Sequence, residues 1–127
     1  MTISQEFKII KFDDSIKSTF FHNYFNFEGR SSRADYIWWS IFTLIVNIML
    51  NLINPKLTLI SNVIFLLPGT GLAFRRLHDI NKSGWNQLLV FTIIGIIPLF
   101  YWTFLKPGDL DDNRYGENPF SNISFNN

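Results

Sequence analysis

"LLVFTIIGIIPLF", Leu88 to Phe100, decides what kind of fold this chain adopts. Only Thr92, Gly95 and Pro98 interrupt it, and none of them makes a polar face. A surface helix of a water-soluble protein keeps such a face, whereas a helix that is apolar all round belongs in a core or in lipid. The run lies inside a longer uncharged stretch, 83–105, with 12 Leu, Ile, Val or Phe residues. On a membrane-insertion scale these contribute roughly −4 to −7 kcal/mol before the polar residues are set against them. Two more uncharged stretches precede it, at 36–55 and 57–74. A helix needs about 20 predominantly apolar residues to cross the hydrocarbon, and the three stretches hold 20, 18 and 23. The expected fold is an all-α integral membrane protein, with three transmembrane helices preceded by a short amphipathic N-terminal helix.

Composition agrees. Charged residues are 17% of the 127 and aromatics another 17%, where soluble domains carry about 25% charged residues. A formal net charge of +1 gives no basic face for nucleic acid. The absence of cysteine removes disulfides and thiolate metal sites. "MTISQEFKIIKF" at the start is polar and amphipathic, unlike a cleavable signal peptide.

One membrane domain over 1–127 is expected. It comprises a cytoplasmic amphipathic segment (1–35), span one (36–54), span two (57–74), a cytoplasmic loop (75–84), span three (85–105) and a polar tail (106–127). Trp38 and Trp39 open the first span, Trp85 opens the third and Trp102 stands near its end. Tyr and Trp favour the headgroup level, so these four read as interface anchors. Asn54-Pro55-Lys56 reads as a tight turn, because the residue before Pro is pushed out of helix. Lys8, Lys11, Lys17, Arg30 and Arg33 precede span one, and Arg75, Arg76 and Lys82 lie between spans two and three. With three spans these fall on one side, which the positive-inside rule makes the cytoplasm, with the N-terminus there and the tail opposite. A C-terminal reporter active in the cytoplasm overturns that topology.

Before span one, Ile16, Phe20, Tyr24 and Phe27 form one helical stripe, widened by Phe21 and Phe25. It suits a helix in the headgroup plane or one packed on the bundle. Gly29 reads as a stop, and Ser32 with Asp35 as a capping box for the next helix. Inside span one, Ser40, Thr43, Asn47, Asn51 and Asn54 share one helix face. Polar groups in lipid seek another helix or water, so this face reads as interhelical hydrogen bonding or, in an oligomer, a hydrophilic path. Pro68 and Pro98 interrupt their helices, with neighbouring groups expected to satisfy the freed carbonyls.

Chemistry is sparse. His22 and His78 lack zinc-site spacing, and neighbours such as His78 and Asp79 do not face each other on a helix. "DLDDNRYGEN" resembles a calcium loop only superficially, with Arg114 where glycine is required and Phe120 where glutamate is. "NKS" at Asn81 and "NIS" at Asn122 match a glycosylation pattern of low specificity. No catalytic residue, metal ligand or cofactor is expected. What remains is arginine: Arg30 and Arg33 before span one, Arg75 and Arg76 after span two, with His78 and Asp79 beside them. They serve either as topological anchors paired with Glu28, Asp35 or Asp79, or as a pocket for an anionic phospholipid headgroup or a phosphate, which the planar guanidinium fork suits. Loss of anionic-lipid binding on Arg75→Ala and Arg76→Ala supports the pocket, and unchanged binding removes it.

"FEGRSSRADY" from Phe27, "LPGTGLAFRRLHDINKSGW" from Leu67 and "NRYGENP" from Asn113 together resemble a bacterial inner-membrane family known as domain of unknown function 805 (DUF805). The resemblance covers about Phe20 to Pro119. It departs at Ile37, where the family commonly has Trp. It implies a multi-pass protein of the bacterial inner membrane and brings no catalytic residues. The expected function is non-enzymatic: binding of an anionic lipid or a membrane partner, another protein or a second copy, through the cytoplasmic arginine motifs. The alternatives are a small oligomeric transporter or channel using the stripe of span one, and a membrane enzyme acting on a headgroup through His78 and Asp79.

Overall fold

A computed structural model describes residues 1–121, all helix and loop with no strand among them. Asn122, the second glycosylation match, lies outside the described residues. Two short helices, α1 (Ile3–Ile9) and α2 (Phe12–Lys17), open the chain, and α2 runs on into a π-helical turn at Ser18–His22. Helices α3 (Arg33–Ile53) and α4 (Pro55–Asp79) follow, then a 3-10 segment at Gly84–Phe91. Finally α5 (Ile93–Phe100) continues into a π-helical turn at Tyr101–Leu105.

The long helices begin and end where their residues dictate. The Ser32 hydroxyl accepts from the backbone N–H of Asp35 at 3.2 Å, which caps α3. At the far tip Asn54 caps α4 by accepting from Lys56 N at 3.0 Å, with Pro55 in the first turn, where a missing N–H costs nothing. Pro68 lies within α4 without ending it. Proline offers no N–H to the carbonyl four residues back; that carbonyl, Ile64 O, instead accepts the Tyr24 hydroxyl at 2.7 Å.

α3 and α4 have 21 and 25 residues, about 31 and 38 Å of helix, enough for the roughly 30 Å hydrocarbon core. Both are apolar enough to cross it, and little of their apolar length is covered by the rest of the chain. Leu44, Ile48, Met49, Leu52, Leu59 and Val63 are all exposed. In a soluble protein such a stripe turns inward, so this exposure assigns the surface to lipid. The covered core is small and lies at one end, where Ala34 and Trp39 of α3 meet Leu72, Ala73 and Leu77 of α4. This is the motif end of the helical hairpin.

The stripe before α3 packs on α4. The rings of Phe20 and Phe65 lie 6.0 Å apart, and those of Phe27 and Phe74 5.3 Å. Phe21 and Phe25 point outward from the same segment. Both readings of this segment therefore have residues to support them.

The third apolar run departs from expectation. It does not form one helix over 85–105. The 3-10 segment stops at Phe91, and Thr92 caps α5 through Gly95 N at 3.0 Å. The turn is too tight for a side chain at Gly95, whose Cβ would lie 2.2 Å from the Thr92 hydroxyl. The limbs, 8 residues of 3-10 helix and the 13 from Ile93 to Leu105, are about 16 and 20 Å long, each well short of a crossing. Both roots lie at the motif end: Trp85 packs 5.5 Å from Phe74, and Thr103 O accepts from Arg76 Nε at 3.0 Å. The run goes out and comes back, with Phe91, Ile93 and Ile94 exposed at its tip. The polar tail accordingly returns to the arginine motifs, whereas three spans placed it opposite.

Gly84 anchors the outgoing limb, because a Cβ there would lie 1.9 Å from the Phe74 ring. Gly84→Ala is expected to cost about 1–3 kcal/mol through overpacking. Thermal unfolding in mild detergent should show a clearly lower midpoint, and an unchanged one would contradict this seat for the limb.

Candidate functional site

The first turn of α3, the last turn of α4, the end of the returning limb and the tail converge at the motif end. Three guanidinium groups, those of Arg30, Arg33 and Arg76, tie them together. Arg76 donates through Nε to Thr103 O at 3.0 Å, through Nη1 to Asp79 Oδ2 at 3.1 Å, and through Nη2 to Lys106 O. Arg33 donates to Leu105 O at 2.7 Å and Met1 O at 3.0 Å, and pairs with Glu6. The carbonyls of Thr103, Leu105 and Lys106 are the ones a helix leaves unsatisfied at its C-terminus, where the dipole also favours a cation. Arg33 and Arg76 thus cap the returning limb from two different long helices.

Arg30 reaches the tail. It donates to Asp79 Oδ1 at 3.0 Å, and to the carbonyls of Asp109 at 2.6 Å, Asp111 at 2.9 Å and Gly116 at 3.2 Å. Arg75 turns the other way, to the Ser31 hydroxyl at 3.0 Å and the Asn26 carbonyl. The side chains of Arg30 and Arg76 are 0% exposed. No buried side-chain nitrogen or oxygen among the described residues lacks a hydrogen-bond partner. Asp79 receives both Arg30 and Arg76, so its charge is shared by two cations.

His78 and Asp79 point into different surroundings. His78 Nδ1 lies 2.9 Å from Gly29 O, which places the proton on Nδ1, and the ring stacks on Tyr115 at 3.9 Å and 4°. Tail and cluster are thus brought together: Asn113 donates to His78 O at 2.9 Å, and Asp109 N to Asp79 O at 2.8 Å. Of the sequence-expected acidic partners, Asp79 takes two arginines, while Asp35 accepts the hydroxyls of Ser15 at 2.6 Å and Ser32 at 3.0 Å. Glu6, Gly108, Asn113 and Tyr115 were not anticipated as members. Gly108 lies against the Asp79 carboxylate, where its Cβ would be 2.0 Å from Oδ2. For Asn113 and Tyr115 the sequence signal was the tail motif, whose place at the cluster no spacing reveals; Glu6 and Gly108 carried none.

The four tryptophans divide. Trp39 is buried between α3 and α4, against Phe65 at 5.6 Å. Trp38 donates to Ile10 O at 2.9 Å under Phe7 and Phe12. Trp85 is exposed, and Trp102 carries the Lys82 ammonium 4.5 Å from its ring centre.

A second feature lies alongside the long helices. A cleft of ≈ 380 Å³ runs between α3, α4 and the 3-10 segment, lined by Ser40, Thr43, Asn47, Asn62, Thr70 and Gln87 among others. Ser40 and Thr43 bond back to Tyr36 O at 2.8 Å and Trp39 O at 3.0 Å. Asn47 accepts from the Ser61 hydroxyl at 3.1 Å. Asn51 lies one turn beyond, exposed. Among the described residues no cluster of His, Asp and Glu suited to a metal ion is present.

Two lipid-length helices rooted in a cap of buried arginines define an integral membrane protein. The chain belongs to the DUF805 family: the family model described as "Protein of unknown function (DUF805)" matches residues 24–117. It is 34% identical over 105 residues to inner membrane protein YhaI of Escherichia coli (strain K12), covering 76% of this chain and 88% of that protein. It is 29% identical over 113 residues to inner membrane protein YhaH of the same strain, covering 76% and 89%. No solved structure matches.

Removing the shared carboxylate tests the cluster. Asp79→Ala leaves two buried cations without a counter-charge, which costs about 3–5 kcal/mol. Gly108→Ala should act through the same carboxylate, so the double variant is expected to lose less than the sum of the singles. Unfolding midpoints in detergent for the singles and the double measure this, and strict additivity would refute it.

Proposed function

We propose that this protein is a non-enzymatic component of the bacterial inner membrane that holds an uncharged polar partner within the bilayer, at the cleft between α3, α4 and Gln87. In this reading the chain crosses twice, through α3 and α4, and the third run is a re-entrant hairpin. The arrangement strengthens the charge asymmetry: of the eleven Lys and Arg residues only Lys56 lies at the far tip between α3 and α4. By the positive-inside rule the N-terminus and the tail are both cytoplasmic.

The observation that carries the docking role is the cleft itself. Its hydrogen-bonding side chains are neutral, and neutral amides and hydroxyls in hydrocarbon associate with other helices. The arginines support a building role, since their donors engage carbonyls, hydroxyls and carboxylates of the chain itself. His78 and Asp79 are likewise occupied by Gly29 and by two arginines, which supports the non-enzymatic reading. A solute pathway is disfavoured because no acidic or basic residue lies along the cleft among the described residues, whereas transport sites in membranes ordinarily contain one.

Two measurements test the proposal. Reporter fusions should be active in the cytoplasm at the C-terminus and in the periplasm at the Asn54–Lys56 turn; a periplasmic C-terminus would refute the re-entrant reading. A photo-crosslinking residue at Gln87 should yield a discrete protein adduct in living membranes that disappears with Asn47→Leu. Adducts with lipid alone would refute docking.

A further inference from the structure

A cavity of ≈ 300 Å³ lies in the cap where the N-terminal segment (Met1, Gln5, Glu6) meets the tail (Pro107 to Leu110, Asn118, Phe120), with Asp79 also on its wall. That volume stands at the small end of the roughly 300–1,000 Å³ of small-molecule sites. The charged side chains lining it have one sign: Glu6, Asp79 and Asp109 are there, and no Lys, Arg or His is. Asp79 is already paired with Arg30 and Arg76, so the other two carboxylates decide what the cavity can take. Glu6 is only 3% exposed, and Arg33 occupies just its Oε2, turning its other nitrogens to Leu105 O and Met1 O. Oε1 meets no donor among the described residues. No fully buried side-chain oxygen among them goes unpaired, so Oε1 opens onto the cavity that Glu6 lines. The Asp109 carboxylate meets only the neutral Asn113 amide, at 3.0 Å, and no cation among the described residues lies within ion-pair distance of it.

We propose that this cavity binds a small organic cation, an ammonium group carried on a short aliphatic chain. The ammonium donates to Glu6 Oε1 and to the Asp109 carboxylate, and the chain lies against Pro107, Leu110 and Phe120. An ammonium has donors and no acceptor, which matches a wall whose unpaired charged groups are all acceptors. Bonds of this charge-assisted kind are roughly twice as strong as neutral ones. An anion would instead face the carboxylates, and no cluster of His, Asp and Glu suited to a metal ion is present among the described residues. Two sources carry the group: a soluble aliphatic diamine, and the ethanolamine headgroup of a phospholipid. The cavity shares no lining residue with the cleft at Gln87, so this inference goes beyond the docking role and does not depend on it.

The full chain in phosphatidylcholine nanodiscs, titrated calorimetrically with 1,4-diaminobutane at physiological ionic strength, should show saturable binding. The uncharged 1,4-butanediol should show none. Asp109→Asn leaves an oxygen for the Asn113 amide and should weaken diamine binding about tenfold, as expected for one charged hydrogen bond. Glu6→Gln should weaken it as much; because that change also strips Arg33 of its counter-charge, Asp109→Asn decides the matter if the Glu6 variant does not fold. For the lipid source, protein extracted from vesicles of equal phosphatidylethanolamine and phosphatidylcholine should retain the first in its mass spectrum, and Asp109→Asn should abolish the preference. Diamine binding alone assigns a soluble amine, and lipid retention alone assigns the headgroup. Neither signal, a diol that binds as well as the diamine, or readouts unchanged by Asp109→Asn overturns the proposal.

Discussion

Arg76 is the constraint on which the rest of the cap depends. Its guanidinium is fully buried, and a buried charge without partners would cost many kcal/mol. The chain supplies three: the Asp79 carboxylate on its own helix, and the carbonyls of Thr103 and Lys106 at the end of the returning limb. Satisfying this cation and closing the third segment onto the motif end are the same event. Arg33 repeats the arrangement from α3 through Leu105 O, so the limb is held from both long helices. A lysine, with one nitrogen, cannot span two carbonyls and a carboxylate in this planar way.

Asp79 extends the constraint to the tail. By accepting Arg76 on one oxygen and Arg30 on the other, it carries the Arg30 fork toward Asp109, Asp111 and Gly116. The close approach needs the missing side chain at Gly108. Tyr115 can then stack on His78, whose ring is fixed by Gly29 O. Gly29 itself has φ +84, in the left-handed region that glycine tolerates without strain. The three stretches that carry the family resemblance are thus pieces of one cluster, although dozens of residues separate them.

Much of the helix framework was legible in the residues. Apolar run length gave α3 and α4; Ser32 and Asn54-Pro55 marked their starts; Pro68 announced a free carbonyl that Tyr24 fills. The third run misled because hydropathy reports that a segment prefers lipid and says nothing of where its ends are tied. Thr92 and Gly95 were visible as interruptions, but their role as a cap and a tight turn depends on contact between the limbs. The arginine partners were illegible for a related reason. Most are backbone carbonyls, which every residue carries, so no side-chain pattern points to them. Glu6 was hidden by distance, 27 residues from Arg33.

The short third segment and the open cleft are two aspects of one geometry. A full third crossing could have lain along Ser40, Thr43, Asn47 and Asn51 and satisfied them from within the chain. A hairpin held at its roots by Arg33 and Arg76 brings Gln87 to the upper part of that stripe and goes no deeper. The clamp that satisfies the buried cations therefore leaves Asn51 exposed further along α3. Stability at the motif end and polar exposure along α3 are coupled through the length of one hairpin.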